Sequence, residues 1–178
     1  MITHRLATQE DIPTLEALVD ITIRRSIGPL VDAVSLKLHM ANMGVDTQLI
    51  DDGTYFILEE DGQIVGSGGW GKRATLFGGD HSTTVDARLL DPATEPARIR
   101  AMYTHPDHMR KGIGRMIIGL CEEAARSAGF KKAELFATVA GEPLYKACGY
   151  QVIDRQEIRD DQGGIVKGAT MAKKLSSH

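Results

Sequence analysis

Met102-Tyr103-Thr104-His105-Pro106-Asp107-His108-Met109-Arg110-Lys111-Gly112-Ile113-Gly114-Arg115 is the stretch on which the fold of this chain turns. Arg98-Ile99-Arg100-Ala101 leads into it, and with Met102 to Thr104 the run predicts a strand. His105-Pro106-Asp107 predicts a turn, because proline fixes its own φ and offers no N–H to a ladder. From Ile113 the apolar residues Ile117, Leu120, Cys121, Ala124, Ala125 and Ala128 recur at helical spacing until Gly129. The unit is therefore strand, turn, helix. Gly112 and Gly114 sit at the joint, where missing side chains let the backbone turn tightly and approach a ligand. The first N–H groups of a helix have no internal partner and its dipole favours an anion, so this joint is predicted to take a phosphate. Arg110, Lys111 and Arg115 add positive charge there.

The usual nucleotide motifs do not fit. Ile117 stands where a GxGxxG dinucleotide turn needs its third glycine, and no glycine precedes Gly112 at P-loop spacing.

Downstream, Ala133-Glu134-Leu135-Phe136-Ala137 reads as a strand, and Gly141 to Ala147 as a short helix stopped by Gly149. Gln151-Val152-Ile153 and Ile165 to Ala172 read as closing strands around the turn Gln162-Gly163-Gly164. Upstream, Ile2 to Leu6 alternates as a strand. A helix follows on Ile12, Leu15, Leu18, Val19 and Ile23, with Thr8 or Asp11 as cap and Pro13 in its first turn. A second helix is expected over Val31 to Met43, with Leu30, Val34, Leu38 and Ala41 as its apolar face and Gly44 as its stop. Thr54 to Glu59 and Gln63 to Ser67 flank Glu60-Asp61-Gly62 as a hairpin. Residues 71–97 lack periodicity and are expected to leave the sheet and return to it, a kind of long loop that often carries function. The whole is expected to form one α/β domain over residues 1–178, a mixed sheet covered by helices.

Together these segments resemble the GNAT superfamily of N-acetyltransferases (acyl-CoA N-acyltransferases). Residues 102–115 are similar to its acetyl-CoA signature, a strand, a His-Pro-Asp-type turn and a Gly-x-Gly helix start. Thr138, Gly141-Glu142-Pro143-Leu144-Tyr145 and Gly149-Tyr150 resemble its second conserved segment, in the right order and at the right separation. One departure is Met109, which occupies the position where the family carries Gln or Arg.

The resemblance implies a central mixed, mostly antiparallel sheet flanked by helices and splayed between the Arg98 and Ala133 strands. It implies acetyl-CoA as cosubstrate and no metal. The backbone of Met102, Tyr103 and Thr104 would pair with the pantetheine arm like an added strand, and an N–H there would polarise the thioester carbonyl. Met109, Arg110, Lys111, Gly112, Ile113, Gly114 and Arg115 would hold the pyrophosphate, and Thr138 would flank the cofactor arm. Tyr145 would be the general acid. Transfer from a phenol of pKa ~10 to a thiolate whose thiol has pKa ~8.5 is uphill in water but within the range a site can tune.

An alkylamine acceptor must lose a proton before it attacks, and Glu59, Glu60, Asp80, His81 and Glu95 are the candidate bases by region. The expected reaction is direct acetyl transfer to a primary amine of a small molecule. The alternatives are a macromolecular amine, such as a protein or an aminoacyl-tRNA, and a non-catalytic acyl-CoA sensor.

Composition narrows the partners. Of 178 residues, 42% are hydrophobic and 25% charged, with a net charge of −3, which gives no general attraction to nucleic acid or to an acidic membrane. No apolar run approaches the ~18 residues that a membrane span needs. No secretory signal is evident at the N-terminus, so a cytoplasmic protein is expected. Cys121 and Cys148 suit neither a disulfide framework nor a CxxC site, and Cys121 falls on the apolar helical stripe. His105 and His108 lack a third ligand, so no metal is expected. The sequence shows no dimer interface, although this fold often forms homodimers.

Overall fold

A computed structural model describes residues 1–176. Its framework is one sheet of seven strands in the order β1-β2-β3-β4-β5-β7-β6. These are β1 (Ile2–Leu6), β2 (Tyr55–Glu60), β3 (Gln63–Gly71), β4 (Ala97–Thr104), β5 (Lys132–Thr138), β6 (Gln151–Arg159) and β7 (Ile165–Lys174). Every neighbouring pair is antiparallel except β4–β5. The helices are α1 (Ile12–Thr22), α2 (Ala33–Asn42), the one-turn α3 (Thr47–Asp51), α4 (Ile113–Ser127) and α5 (Glu142–Ala147). The expected element order holds, with α3 as an addition that no periodicity announced.

Two cores lie on opposite faces of the sheet. On one, the stripe of α4 predicted from spacing packs down: Ile113, Ile117, Ile118, Cys121 and Ala125 are all buried against Leu58, Val65 and Leu135. The approach is close because β3 carries glycines beneath the helix. A Cβ at Gly66 would strike Ile113 and Ile117, and one at Gly68 would strike Met102 and Ile117. Burial pushes the Cys121 thiol well up, as befits packing rather than chemistry. On the other face α1 buries Leu15, Leu18 and Val19 against Tyr55, Ile57 and Tyr103. Asp11 takes the Thr8 N–H at 2.8 Å, a cap that also pairs with Arg5.

The apolar face expected for α2 is corrected. Leu30, Val34 and Ala41 are exposed, and the buried residues are Ser35, Leu38 and His39. The helix turns inward with polar groups because it faces a cavity, not the hydrocarbon core. Residues 71–97 leave β3 and return to β4 as a loose hairpin. Arg73 bridges Leu89, and the N–H groups of Ala74 and Thr75 reach the carbonyls of Arg88 and Asp86.

Candidate active site

β4 and β5 touch through only Ala97↔Ala133 and Arg98↔Glu134. Beyond Arg98 the two strands splay, because β5 stays in register with β7 from Lys132↔Lys174 to Thr138↔Gly168 while β4 follows β3. The β5-facing edge of β4 from Ile99 to Thr104 therefore has no strand partner. β4 also carries a bulge: Gly69 pairs with Arg100 and Ser67 with Tyr103, so Ala101 and Met102 together face Gly68. Ala101 takes φ +52° at this step, a conformation that costs a non-glycine residue about 1–2 kcal/mol and needs support around it. Tyr55 supplies that support. Its hydroxyl lies 3.0 Å from the Ala101 carbonyl and 2.9 Å from Ser67 Oγ. A carbonyl only accepts, so Tyr55 donates to Ala101 and accepts from Ser67.

The turn after β4 is the second element. Arg110 and Gly112 both have positive φ, at +67° and +80°, the left-handed steps from which anion-binding nests are built. Among the described residues no acceptor takes the N–H groups of Arg110 to Arg115. Ile113 and Gly114 are buried and fix the start of α4, while Arg110 and Arg115 are exposed and, among the described residues, without an ion-pair partner. Lys111 differs: its Nζ lies 3.1 Å from Glu60, which also meets His108 Nδ1 at 3.1 Å. The Lys111 bond holds the Glu60 carboxyl below its ordinary range. Thus Lys111 ties the turn to the β2–β3 hairpin, and His105 and His108 belong to that tie. Met109 is half exposed, with its sulfur 4.0 Å from Ser26 Oγ. No cluster of three metal-ligating side chains exists among the described residues.

Tyr145, from α5, closes the splay. It lines a cavity of about 70 Å³ with Met102, Tyr103, Thr138, Phe136 and Phe77. Its side chain is buried, yet its hydroxyl has no hydrogen-bond partner among the described residues. Burial holds its pKa well above that of a free phenol, so the proton stays on. Gly114 couples this helix to the turn after β4: a Cβ there would lie 2.5 Å from Leu144. Thr104 contributes its carbonyl to Thr22 Oγ1 at 3.2 Å, which docks α1 on the end of β4.

Sequence reasoning missed two parts of the wall, the Phe77 cover and the Arg100 anchor, and the side-chain bonds of Tyr103. Phe77, from the 71–97 excursion, lies over Phe136 of β5 with centroids 4.4 Å apart, so the excursion covers the splay. Arg100, buried, holds that cover by bonding the Gly78 carbonyl and Asp46. Burial pushes Asp46 up and Arg100 down, against the attraction between them. Tyr103 bonds both the N–H and the carbonyl of Gly44, at 3.0 and 3.3 Å. Of the five candidate bases, none lines the Tyr145 cavity. Glu59 pairs with Arg5, and Glu60 with Lys111. Glu95 pairs with Arg88 and is held at about 2 by that bond. Asp80 caps Thr47, and His81 is exposed beside it.

Residues 51–152, more than half of the chain, match the family described as the acetyltransferase (GNAT) domain. The chain belongs to the GNAT acetyltransferase family. A search of curated proteins finds no match to the sequence. Solved structures share the GNAT fold over almost the whole length. The PaiA N-acetyltransferase of Thermoplasma acidophilum, in complex with coenzyme A, is 14% identical with a TM-score of 0.67, over 98% of this chain and 99% of that one. The YncA acetyltransferase of Salmonella typhimurium, with its cofactor acetyl-CoA, is 18% identical with a TM-score of 0.66, over 100% and 96%. The ribosomal-protein-S18-alanine N-acetyltransferase of Escherichia coli is 15% identical with a TM-score of 0.62, over 100% and 96%. At these identities the likeness is one of fold. No helix among the described residues is long and apolar enough to cross a membrane.

Proposed function

We propose that this GNAT acetyltransferase uses acetyl-CoA to acetylate a primary amine of a small molecule, and that residues 1–178 form one catalytic domain. The observation that carries this reading is the run of free N–H groups from Arg110 to Arg115, set beside a splay that Tyr145 closes. Acetyl-CoA supplies an activated acetyl thioester; the chain does the rest. The amides of residues 109–115, aided by Arg110 and Arg115, hold the pyrophosphate. The free edge of Met102 to Thr104 pairs the pantetheine arm, and Thr138 flanks it from β5. An N–H at the β4 bulge polarises the thioester carbonyl. Tyr145 donates its proton to the departing sulfur.

A small acceptor is favoured because the cover formed by Phe77 and Gly78 encloses the reacting end, and because a net charge of −3 attracts no polyanion. The S18-alanine enzyme acts on a protein, but likeness of fold does not carry an acceptor with it. A thermal-shift titration with acetyl-CoA, against ATP and NAD, tests the cofactor. At ~100 times Kd the stabilisation is ~2.7 kcal/mol. Absence of a shift with acetyl-CoA overturns the reading. A screen of small amines that reads released CoA then tests the acceptor class, and acetylation of proteins alone would overturn that part.

A further inference from the structure

We propose that His39 is the proton acceptor for the incoming amine, and that this amine sits on a compact apolar body. The inference rests on the acetyltransferase reading and adds the residue that none of the five sequence candidates supplies. His39 is 3% exposed, yet it lines a cavity of about 300 Å³. Its Nδ1 lies 2.9 Å from the Ser35 carbonyl oxygen, which can only accept, so Nδ1 carries the proton. In the neutral ring Nε2 is then a lone pair, and it has no partner among the described residues. An open lone pair on an otherwise buried ring, reached from the cavity, is placed to accept a proton.

The ring is held firmly. Asp32 caps α2 through the Ser35 N–H at 2.8 Å, and Ser35 Oγ takes the Ile165 N–H of β7 at 3.0 Å. The cavity lies beside the Tyr145 cavity. Thr138 lines both it and the Tyr145 cavity, and Met43, one helical turn after His39, lines the latter. Ile27, Leu30, Val31, Val139 and Ile165 make its walls apolar, which fits a compact hydrocarbon body. Among the described residues Asp32 and Lys167 are its other charged lining groups; the Asp32 carboxylate attracts an arriving ammonium and Lys167 repels it.

The protons balance. The ammonium gives one proton to Nε2 and gains a lone pair. Its nitrogen forms the C–N bond to the acetyl carbon, and the C–S bond breaks with the electron pair on sulfur. Sulfur takes the Tyr145 proton, the second nitrogen proton returns to the Tyr145 oxygen, and the imidazolium releases its proton to solvent.

His39→Asn keeps an N–H for the Ser35 carbonyl and removes Nε2. Benzylamine arrives protonated at neutral pH, whereas hydroxylamine arrives largely neutral. With saturating acetyl-CoA, the variant should lose ~100-fold or more in kcat with benzylamine and less than ~3-fold with hydroxylamine. Equal losses with both probes would make His39 structural and overturn the proposal. His39→Gln should behave like His39→Asn. Acetyl-CoA should raise Tm equally in wild type and variant; if it does and benzylamine turnover is also equal, His39 is wrong while the cofactor reading stands. Independently of turnover, diethyl pyrocarbonate followed by peptide mass spectrometry should label His39 through the cavity, with benzylamine slowing the reaction. Labelling of the exposed His4 and His81 with none at His39 would show Nε2 closed off, and the proposal would fall.

Discussion

The two regions proposed above for cofactor and for acceptor are built in different ways. Residues 98–150 shape their half with backbone: a bulge at Ala101, left-handed Arg110 and Gly112, a run of free amides and one tyrosine. The acceptor half is assembled from side chains of α2, the 71–97 excursion and the β6–β7 hairpin, which are far apart in the chain. Backbone devices demand glycine, proline and short-range order, so they leave local marks in a sequence. A wall made of His39, Phe77 and Ile165 leaves none, because each residue is ordinary where it stands and meaningful only beside the others.

Substitutions should separate the two halves. The largest effect is expected from Tyr145→Phe: a loss of ~10²–10⁴ in kcat with acetyl-CoA stabilisation unchanged. Full turnover would remove the acid role. Gly112→Val should come next. A β-branched residue at φ +80° carries strain of about 1–3 kcal/mol, so acetyl-CoA should stabilise the variant much less, as thermal shift would read. A wild-type shift would mean that the turn does not hold phosphate.

Tyr55→Phe tests whether the bulge matters apart from the turn. It leaves the Ala101 carbonyl without its donor, at about 1–3 kcal/mol in stability. kcat should fall while KM for acetyl-CoA holds; a rise in KM alone would place the bulge in binding.

Buried tyrosines from both halves predict alkaline sensitivity. Unfolded phenols release protons near pH ~10, while burial holds Tyr103 up to about 12. The folded state therefore keeps its proton longer, and the stability this brings is present below pH ~10 and lost as pH rises toward 12. Tm measured by circular dichroism should drop across that window; a flat profile would contradict the burial. The smallest effect is expected from Glu60→Gln. Its tie to Lys111 is exposed and screened, so Tm should barely move and catalysis should persist.

Much of the cofactor side was legible. The strand, turn and helix of 97–127 follow from proline, glycine and a 3.6-residue stripe, and the splay and the place of Tyr145 follow from the resemblance they support. The acceptor side was not. The α2 face was misjudged because Val34 and Ala41 look apolar, while the buried positions are Ser35 and His39. Glu59, Glu60, Asp80, His81 and Glu95 are candidate bases by region alone; long-range ion pairs claim Glu59 and Glu60, and Arg88, seven residues away, claims Glu95.

By itself, then, the sequence determined the glycine turn after β4, the helix that follows it and the family, because local geometry and hydrophobic period are written residue by residue. Only the tertiary structure decided what covers the splay, which buried histidine opens a ring nitrogen onto a cavity and which charges are already paired. Those depend on contacts between residues as far apart as Ser35 and Ile165, and such contacts exist only once the sheet has closed.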